Sequence, residues 1–251
     1  MNAATPTSCA CFGRQAHRYN TEAGLQRAIA WRLAHLAAAL PLPAAGPCAD
    51  LGAGTGLVGL ALQQQGLERT LLQVDGSPTL LAHNPLAQRR SDQLLWNLND
   101  DLPAALHNSS LISSSFCLQW LQDPAERLEH WARALRPGGW LVLATPVAGS
   151  FPQWHQAARR AGVPCTARSL PDAEALIAAA ASLLKLQRHQ MLMFSQRYSP
   201  AGLGFLRQVR RLGAGHSDQP PLSPSQWRQL LHHWPVDERV SWRILVLIGQ
   251  R

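Results

Sequence analysis

Residues 50–59 read Asp50-Leu51-Gly52-Ala53-Gly54-Thr55-Gly56-Leu57-Val58-Gly59, with glycines recurring where a backbone must turn sharply and approach a ligand closely. Placed between a strand and a helix, such a loop presents amides at the helix N-terminus to a nucleotide-like ligand. Gly54, Gly56 and Gly59 also satisfy G-x-G-x-x-G, so the loop alone does not choose between nucleotide-containing cofactors. About 20 residues on, Asp75 falls at the end of the next apolar run, where a carboxylate can accept hydrogen bonds from both ribose hydroxyls. Other chemistries are poorly served. The five cysteines, Cys9, Cys11, Cys48, Cys117 and Cys165, lack C-x-x-C spacing, so neither a disulfide framework nor a zinc site is expected. His155, His232 and His233 have no carboxylate at metal-ligand spacing, and no metal is expected. No serine sits in a G-x-S-x-G elbow, which argues against an ordinary hydrolase.

The elements that must position these residues follow from apolar periodicity and turn signals. Leu25, Ile29, Leu33 and Leu36 recur at helical spacing and predict a helix over 21–40 that stops near Pro41 and Pro43. A strand over 48–51 enters the glycine loop, a helix over 57–65 follows, and 71–74 is the next strand. Ser77-Pro78 then supplies an N-cap with proline at the first helical position. Strands are expected over 93–98 and 111–116. Asp123-Pro124-Ala125-Glu126 has capping-box spacing before a helix faced by Leu128, Trp131 and Leu135. Pro137-Gly138-Gly139 turns the chain into a strand over 140–144. Alternating strands and helices imply an α/β, Rossmann-like, doubly wound and mostly parallel sheet with right-handed crossovers. After Gly149 helices outnumber strands: 151–161, 172–184, 201–212 and 225–234 against 186–194 and 240–248, with a polar loop over 213–224.

At 251 residues and 46% hydrophobic composition, the chain can bury one sizeable core without staples. It reads as a single domain: an N-terminal helical part (1–45), a cofactor-binding core (46–149), and substrate-side helices with closing strands (150–251). Residues 1–14 hold no signal-like apolar core, and no stretch approaches the ~18 apolar residues of a membrane span, so a cytoplasmic protein without a membrane partner is expected. The net charge of +8 is uneven: up to Gly149 there are ten basic and ten acidic side chains, after it 13 basic and five acidic. The basic part suits an anionic partner, whether nucleic acid, a phosphorylated ligand or an acidic protein, or else a solvated surface. Aromatic residues do not interleave with the basic ones as a nucleic-acid stacking platform requires, so nucleic acid is not expected.

Later segments narrow the cofactor. Residues 50–56 resemble the first motif of class I methyltransferases, and Val74-Asp75-Gly76-Ser77-Pro78 resembles the second, whose acid grips the ribose of S-adenosylmethionine. Asn97-Leu98-Asn99-Asp100-Asp101-Leu102-Pro103 resembles the adenine-side loop, with Asn97 where the family usually has Asp. Leu135-Arg136-Pro137-Gly138-Gly139 and the strand after it resemble the family's closing turn. Across most of the chain the sequence is further similar to the malonyl-[acyl-carrier protein] O-methyltransferases of biotin biosynthesis. Phe12-Gly13-Arg14-Gln15-Ala16 with Tyr19, Ala23 and Gln26 looks like their N-terminal helix, whose Tyr closes over the active site. Ser114-Ser115-Phe116-Cys117-Leu118-Gln119-Trp120 resembles their S-N-L-A-L-Q-W segment, with Ser115 replacing the usual Asn. Residues 149–156 and Arg210-Arg211-Leu212-Gly213-Ala214 resemble later segments of the same family, as does 223–234.

The resemblance implies S-adenosyl-L-methionine as cofactor, held by Asp50, Gly52, Gly54, Gly56, Asp75, Gly76, Ser77, Asn97, Leu98 and Ser114. It implies Tyr19, Gln119 and Trp120 beside the reacting groups. The acceptor it implies is the free carboxylate of malonyl-acyl carrier protein, or malonyl-CoA, with the enzyme a monomer. For the acceptor's anionic group, Arg207, Arg210 and Arg211 are the candidates, since helical spacing brings them together and a guanidinium fork suits carboxylate or phosphate. Two other readings stay open at this point: a methyltransferase of the same fold acting on another small acid, a quinone precursor or RNA, and a non-catalytic cofactor-fold binding protein.

Overall fold

Strand and helix alternate through the first part of the chain, and the computed structural model describes residues 7–217, 219–235 and 239–251. Helices α1 (Thr7–Glu22) and α2 (Gly24–Ala38) lead into β1 (Cys48–Leu51), α3 (Leu57–Gln64), β2 (Leu71–Asp75), α4 (Pro78–Ala82), β3 (Gln93–Leu95) and β4 (Ser109–Ser115). Then come α5 (Pro124–Ala134), β5 (Leu135–Pro146), α6 (Pro152–Ala161), α7 (Ala173–Ala181), β6 (Lys185–Gln196), α8 (Ala201–Arg211), α9 (Pro224–His232) and β7 (Val240–Gln250). The strands form one sheet in the order β3-β2-β1-β4-β5-β7-β6. β1 to β5 pair in parallel and β7 runs antiparallel to both its neighbours, as the mostly parallel, doubly wound reading requires. Strand order reverses between β1 and β4, so the crevice at their carboxyl ends is where this class of sheet takes its ligand.

Period-2 alternation explains how both faces are covered. Leu111, Trp140 and Val142 face α2 and α3, packing with Ile29, Leu33, Val58 and Leu62. Their neighbours Ile112, Leu141 and Leu143 face the other way, onto Leu128 and Trp131 of α5 and Leu176 of α7. Trp131 is 1% exposed, and its truncation to Ala would cost about 3–5 kcal/mol. A third cluster, Phe151, Trp154, Phe205, Leu230, Trp234 and Val240, joins α6, α8 and α9 to the start of β7. Helices α6, α8 and α9 therefore have a core of their own against the end of the sheet.

Three local expectations are corrected. The helix expected over 21–40 is the second of two: α1 ends at Glu22, Ala23 leaves helical geometry at φ −86°, ψ 42°, and Gly24, a poor helix former, restarts the chain in α2. Asp123 forms no capping box, because it adopts φ 45°, ψ 63° and its side chain bonds no helix amide. The reciprocal box belongs instead to Ser223 and Gln226 at the start of α9. The strand expected over 93–98 ends at Leu95, where Asn97 Oδ1 accepts from the Asn99 amide at 3.2 Å and turns the chain. No disulfide links Cys11, Cys48, Cys117 or Cys165; the side chain of Cys9 lies outside the described residues. Among the described residues no helix is long and apolar enough to cross a membrane, and no group of three or more His, Cys, Asp or Glu could hold a metal ion.

Candidate active site

The glycine loop is held by the strand beside it. The amides of Gly52 and Ala53 donate to the Val74 carbonyl at 2.8 and 3.0 Å, tying the end of β1 to β2. Gly52 and Gly56 both have positive φ, 73° and 85°, and a Cβ would strike Cys117 at the first and Asn84 at the second. Any larger residue would break the cradle at both positions. The Asp75 carboxylate braces the loop from below, accepting from the Gly54 amide at 2.8 Å and the Ser77 amide at 2.7 Å. Ser77 then caps α4 by accepting from the Leu80 amide at 3.3 Å.

Two buried carboxylates meet here. Burial pushes the Asp75 carboxyl up to about 6, against the pull of the Ser77, Gly54 and Gly76 amides. Burial pushes Asp50 further, to about 7, opposed by a hydrogen bond from Ser113 and assisted by the charge of Asp75. Asp50 Oδ1 accepts from Ser113 Oγ at 3.0 Å, while Asp50 Oδ2 is buried with no partner in the protein.

Helix α1 lies across this end of the sheet. Thr55 Oγ1 donates to Asn20 Oδ1 at 2.6 Å, and Phe12 packs edge-on against both Tyr19 and Trp120, with centroids 6.2 and 5.0 Å apart. A first cavity is lined by Gly52, Ala53, Gly54 and Thr55 of the loop, Gln26 and Ala30 of α2, Ser115 of β4, and Tyr19. A second cavity lies beside it, with Phe116, Trp120, Phe151, Trp154 and Trp242 among its walls. Tyr19 and Gln26 line both. Burial, then the charges of Asp75 and Cys117, raise the Tyr19 phenol well above its ordinary value, so it remains a proton-bearing donor at neutral pH.

The expected site residues divide accordingly. Tyr19, Gln119 and Trp120 all line the second cavity, and Gly52 and Gly54 line the first. Ser114 turns inward, donating to the Leu51 carbonyl at 2.7 Å. Its neighbour Ser115 borders the first cavity instead, with a buried and unpartnered Oγ. Asn97 is engaged with Asn99 and Asp100, and Leu98 is part of the core; neither lines either cavity. Arg207, Arg210 and Arg211 are exposed on α8, Arg211 paired with Glu22 at 3.4 Å. The inward side of that helix and the loop after it supply Val209, Leu212, Ala214, Gly215 and His216 to the second cavity. The arginine that lines it is Arg168, from the loop between α6 and α7. Sequence reasoning passed over it because that loop has no periodic pattern, whereas three arginines within one helix turn are conspicuous. His155 has its Nδ1 3.4 Å from Cys165 Sγ.

Residues 22–241 match the family model described as a methyltransferase domain. The chain is 33% identical over 211 residues to the malonyl-[acyl-carrier protein] O-methyltransferase of Alcanivorax borkumensis, covering 82% of this chain and 70% of that protein. To the Enterobacter lignolyticus protein of the same name it is 30% identical, covering 91% and 89%. Against the biotin biosynthesis bifunctional protein BioCD of Bordetella avium it is 33% identical over 89% of its own length, but spans only 47% of that longer protein. Among solved structures, YcgJ from Bacillus subtilis shares the fold, with a TM-score of 0.60, 16% identity and coverage of 88% of this chain and 97% of that one. The glycine cradle, the acid ending β2 and the sheet order are thus those of a class I methyltransferase, and the chain belongs to the malonyl-[acyl-carrier protein] O-methyltransferase family as an S-adenosylmethionine-dependent methyltransferase.

Proposed function

We propose that this chain esterifies the free carboxylate of a malonyl thioester, carried on acyl carrier protein, as an early step of biotin biosynthesis. One observation carries the reading beyond its relatives' names. Among the described residues lining the second cavity there is no aspartate, glutamate or lysine. A carboxylate acceptor is already ionised at neutral pH and needs no base, whereas an acceptor that must lose a proton would have to use His216, the one imidazole among those residues.

The residues present fit S-adenosylmethionine. Asp75, beside the amides of Gly54 and Ser77 that it already accepts, would take the ribose hydroxyls, Asp50 Oδ2 is a buried acceptor with no partner in the protein, and the loop glycines would admit close approach. When bound, this cofactor supplies an electrophilic methyl on a sulfonium. Tyr19 and Gln26, shared by the two cavities, mark where the acceptor oxygen must arrive. Phe12, Tyr19 and Trp120 close that junction from the α1 side, so alignment and exclusion of water, rather than proton transfer, are what the protein contributes.

The test is complementation. Expressed in a bacterium that lacks its own malonyl-[acyl-carrier protein] O-methyltransferase, the chain should restore growth without biotin. A chain that is expressed, folded and able to bind S-adenosylhomocysteine, yet restores no growth, would overturn the assignment.

A further inference from the structure

The buried face of α2 is made of Gln26, Ile29, Ala30, Leu33, Ala34 and Ala37. The five apolar side chains pack onto the sheet with Leu111, Trp140 and Val142. Gln26, in the first turn of the helix, is 9% exposed and lines both cavities, a position that it shares with Tyr19. Among the described residues its carboxamide has no hydrogen-bond partner. Neither its nitrogen nor its oxygen is sealed in protein, so the surface that the amide keeps opens on the cavities. A buried amide is costly unless it is hydrogen-bonded. One that interrupts an apolar stripe where two cavities meet is explained by a ligand that completes it.

We propose that Gln26 donates to one oxygen of the acceptor carboxylate and so leaves the other oxygen facing the methyl group; this rests on the carboxylate reading above. The junction of the cavities is where cofactor and acceptor must meet, and a carboxylate brought there has two equivalent oxygens. Only one can react. The amide nitrogen supplies two N–H donors in a fixed plane, which hold the second oxygen and set the tilt of the group. Being neutral, the amide does this without the ion pair that would draw charge from the reacting oxygen. Methylation turns a charge-assisted hydrogen bond into an ordinary one, so the contact that captures the acid weakens in the ester and favours its release.

The experiment uses the full chain with Gln26→Leu and Gln26→Glu. Leucine keeps the bulk and loses the donors, and glutamate keeps the shape and brings a like charge. In both variants calorimetry with S-adenosylhomocysteine should give an affinity within about threefold of wild type, which certifies fold and cradle. The thermal midpoint of Gln26→Leu should not fall, since no hydrogen bond within the protein is lost. With S-adenosylhomocysteine present, monomethyl malonate should bind the wild type while neutral dimethyl malonate does not, and both variants should lose that binding. In turnover with malonyl-CoA, Gln26→Leu should raise KM about 10- to 100-fold, lower kcat by a smaller factor, and be exceeded in KM by Gln26→Glu. Monomethyl malonate affinity and KM within about threefold of wild type in Gln26→Leu would overturn the contact. So would a loss of S-adenosylhomocysteine affinity beyond that range, which would give the amide to the cofactor. Gln26-dependent binding of monomethyl malonate in a chain that methylates no malonyl thioester would uphold the contact and sink the acceptor reading.

Discussion

The cofactor cradle is made of backbone: amides of Gly52, Ala53, Gly54 and Ser77, and the Val74 carbonyl, locked around one carboxylate within 26 consecutive residues. The second cavity next to it is lined by side chains brought from α1, the segment after β4, α6, the loop before α7, the end of α8 and β7. A ligand whose chemistry never varies can be met by main-chain geometry, which any sequence with the right glycines supplies. Acceptor choice instead requires particular side chains, and these arrive from distant parts of the chain. The two halves touch through α1, whose Tyr19 borders both.

The largest effect should come from breaking the cradle. Asp75→Ala removes the brace of the loop and an acceptor for the ribose, and should weaken S-adenosylhomocysteine binding by about 100-fold or more, some 2.7 kcal/mol, by calorimetry. Affinity retained within about threefold would contradict the role given to Asp75. Next in size is removal of the shared wall. Deleting residues 1–20 takes Tyr19 from both cavities and Phe12 from the second, and should lower kcat/KM more than about tenfold while shifting the thermal midpoint by only a few degrees. An unchanged rate would free α1 of any part in the site.

A pH experiment distinguishes the halves by their buried charge. Asp50 and Asp75 hold their protons to about 7 and about 6 when folded, against 3.8 as the ordinary value. Across that window the folded chain binds more protons than the unfolded one, so stability contributed by these groups is greatest below about pH 4 and falls as pH rises to about 7. Urea melts at pH 5 and pH 8 should show the loss, on the order of 1 kcal/mol or more, and Asp50→Asn should flatten much of it. A slope unchanged in that variant would mean Asp50 ionises freely. The smallest effect is expected at α8. Arg207→Ala and Arg210→Ala, exposed and outside the cavity lining, should keep malonyl-CoA turnover within about twofold, and a larger drop would return them to the site.

What could be read from the sequence follows the same division. The strand Trp140 to Ala144 was legible because an apolar run of this length, after turn residues, buries on both faces of the sheet. Gly52 to Gly56 and Asp75 were legible because backbone conformation and strand-end position are local properties. Asp123 and Glu126 had capping-box letters, but the Asp123 backbone is left-handed, which spacing does not encode. Ser114 and Ser115 differ by one residue and hence by one face of the sheet, so choosing between them needed the register. Arg168 stands in an aperiodic loop, and its partners Gln119 and Trp120 lie far away in sequence. No local pattern could have joined them.

The most direct test of the central claim is to follow a labelled methyl group. The purified chain is incubated with methyl-labelled S-adenosylmethionine and malonyl-acyl carrier protein, and the carrier is then treated with mild base. The account predicts label on the carrier that requires the free malonyl carboxylate, is absent with acetyl carrier, and is released by base as methanol. Label that never reaches the malonyl carrier, or that survives base as a stable methyl on nitrogen or a phenol oxygen, would contradict it.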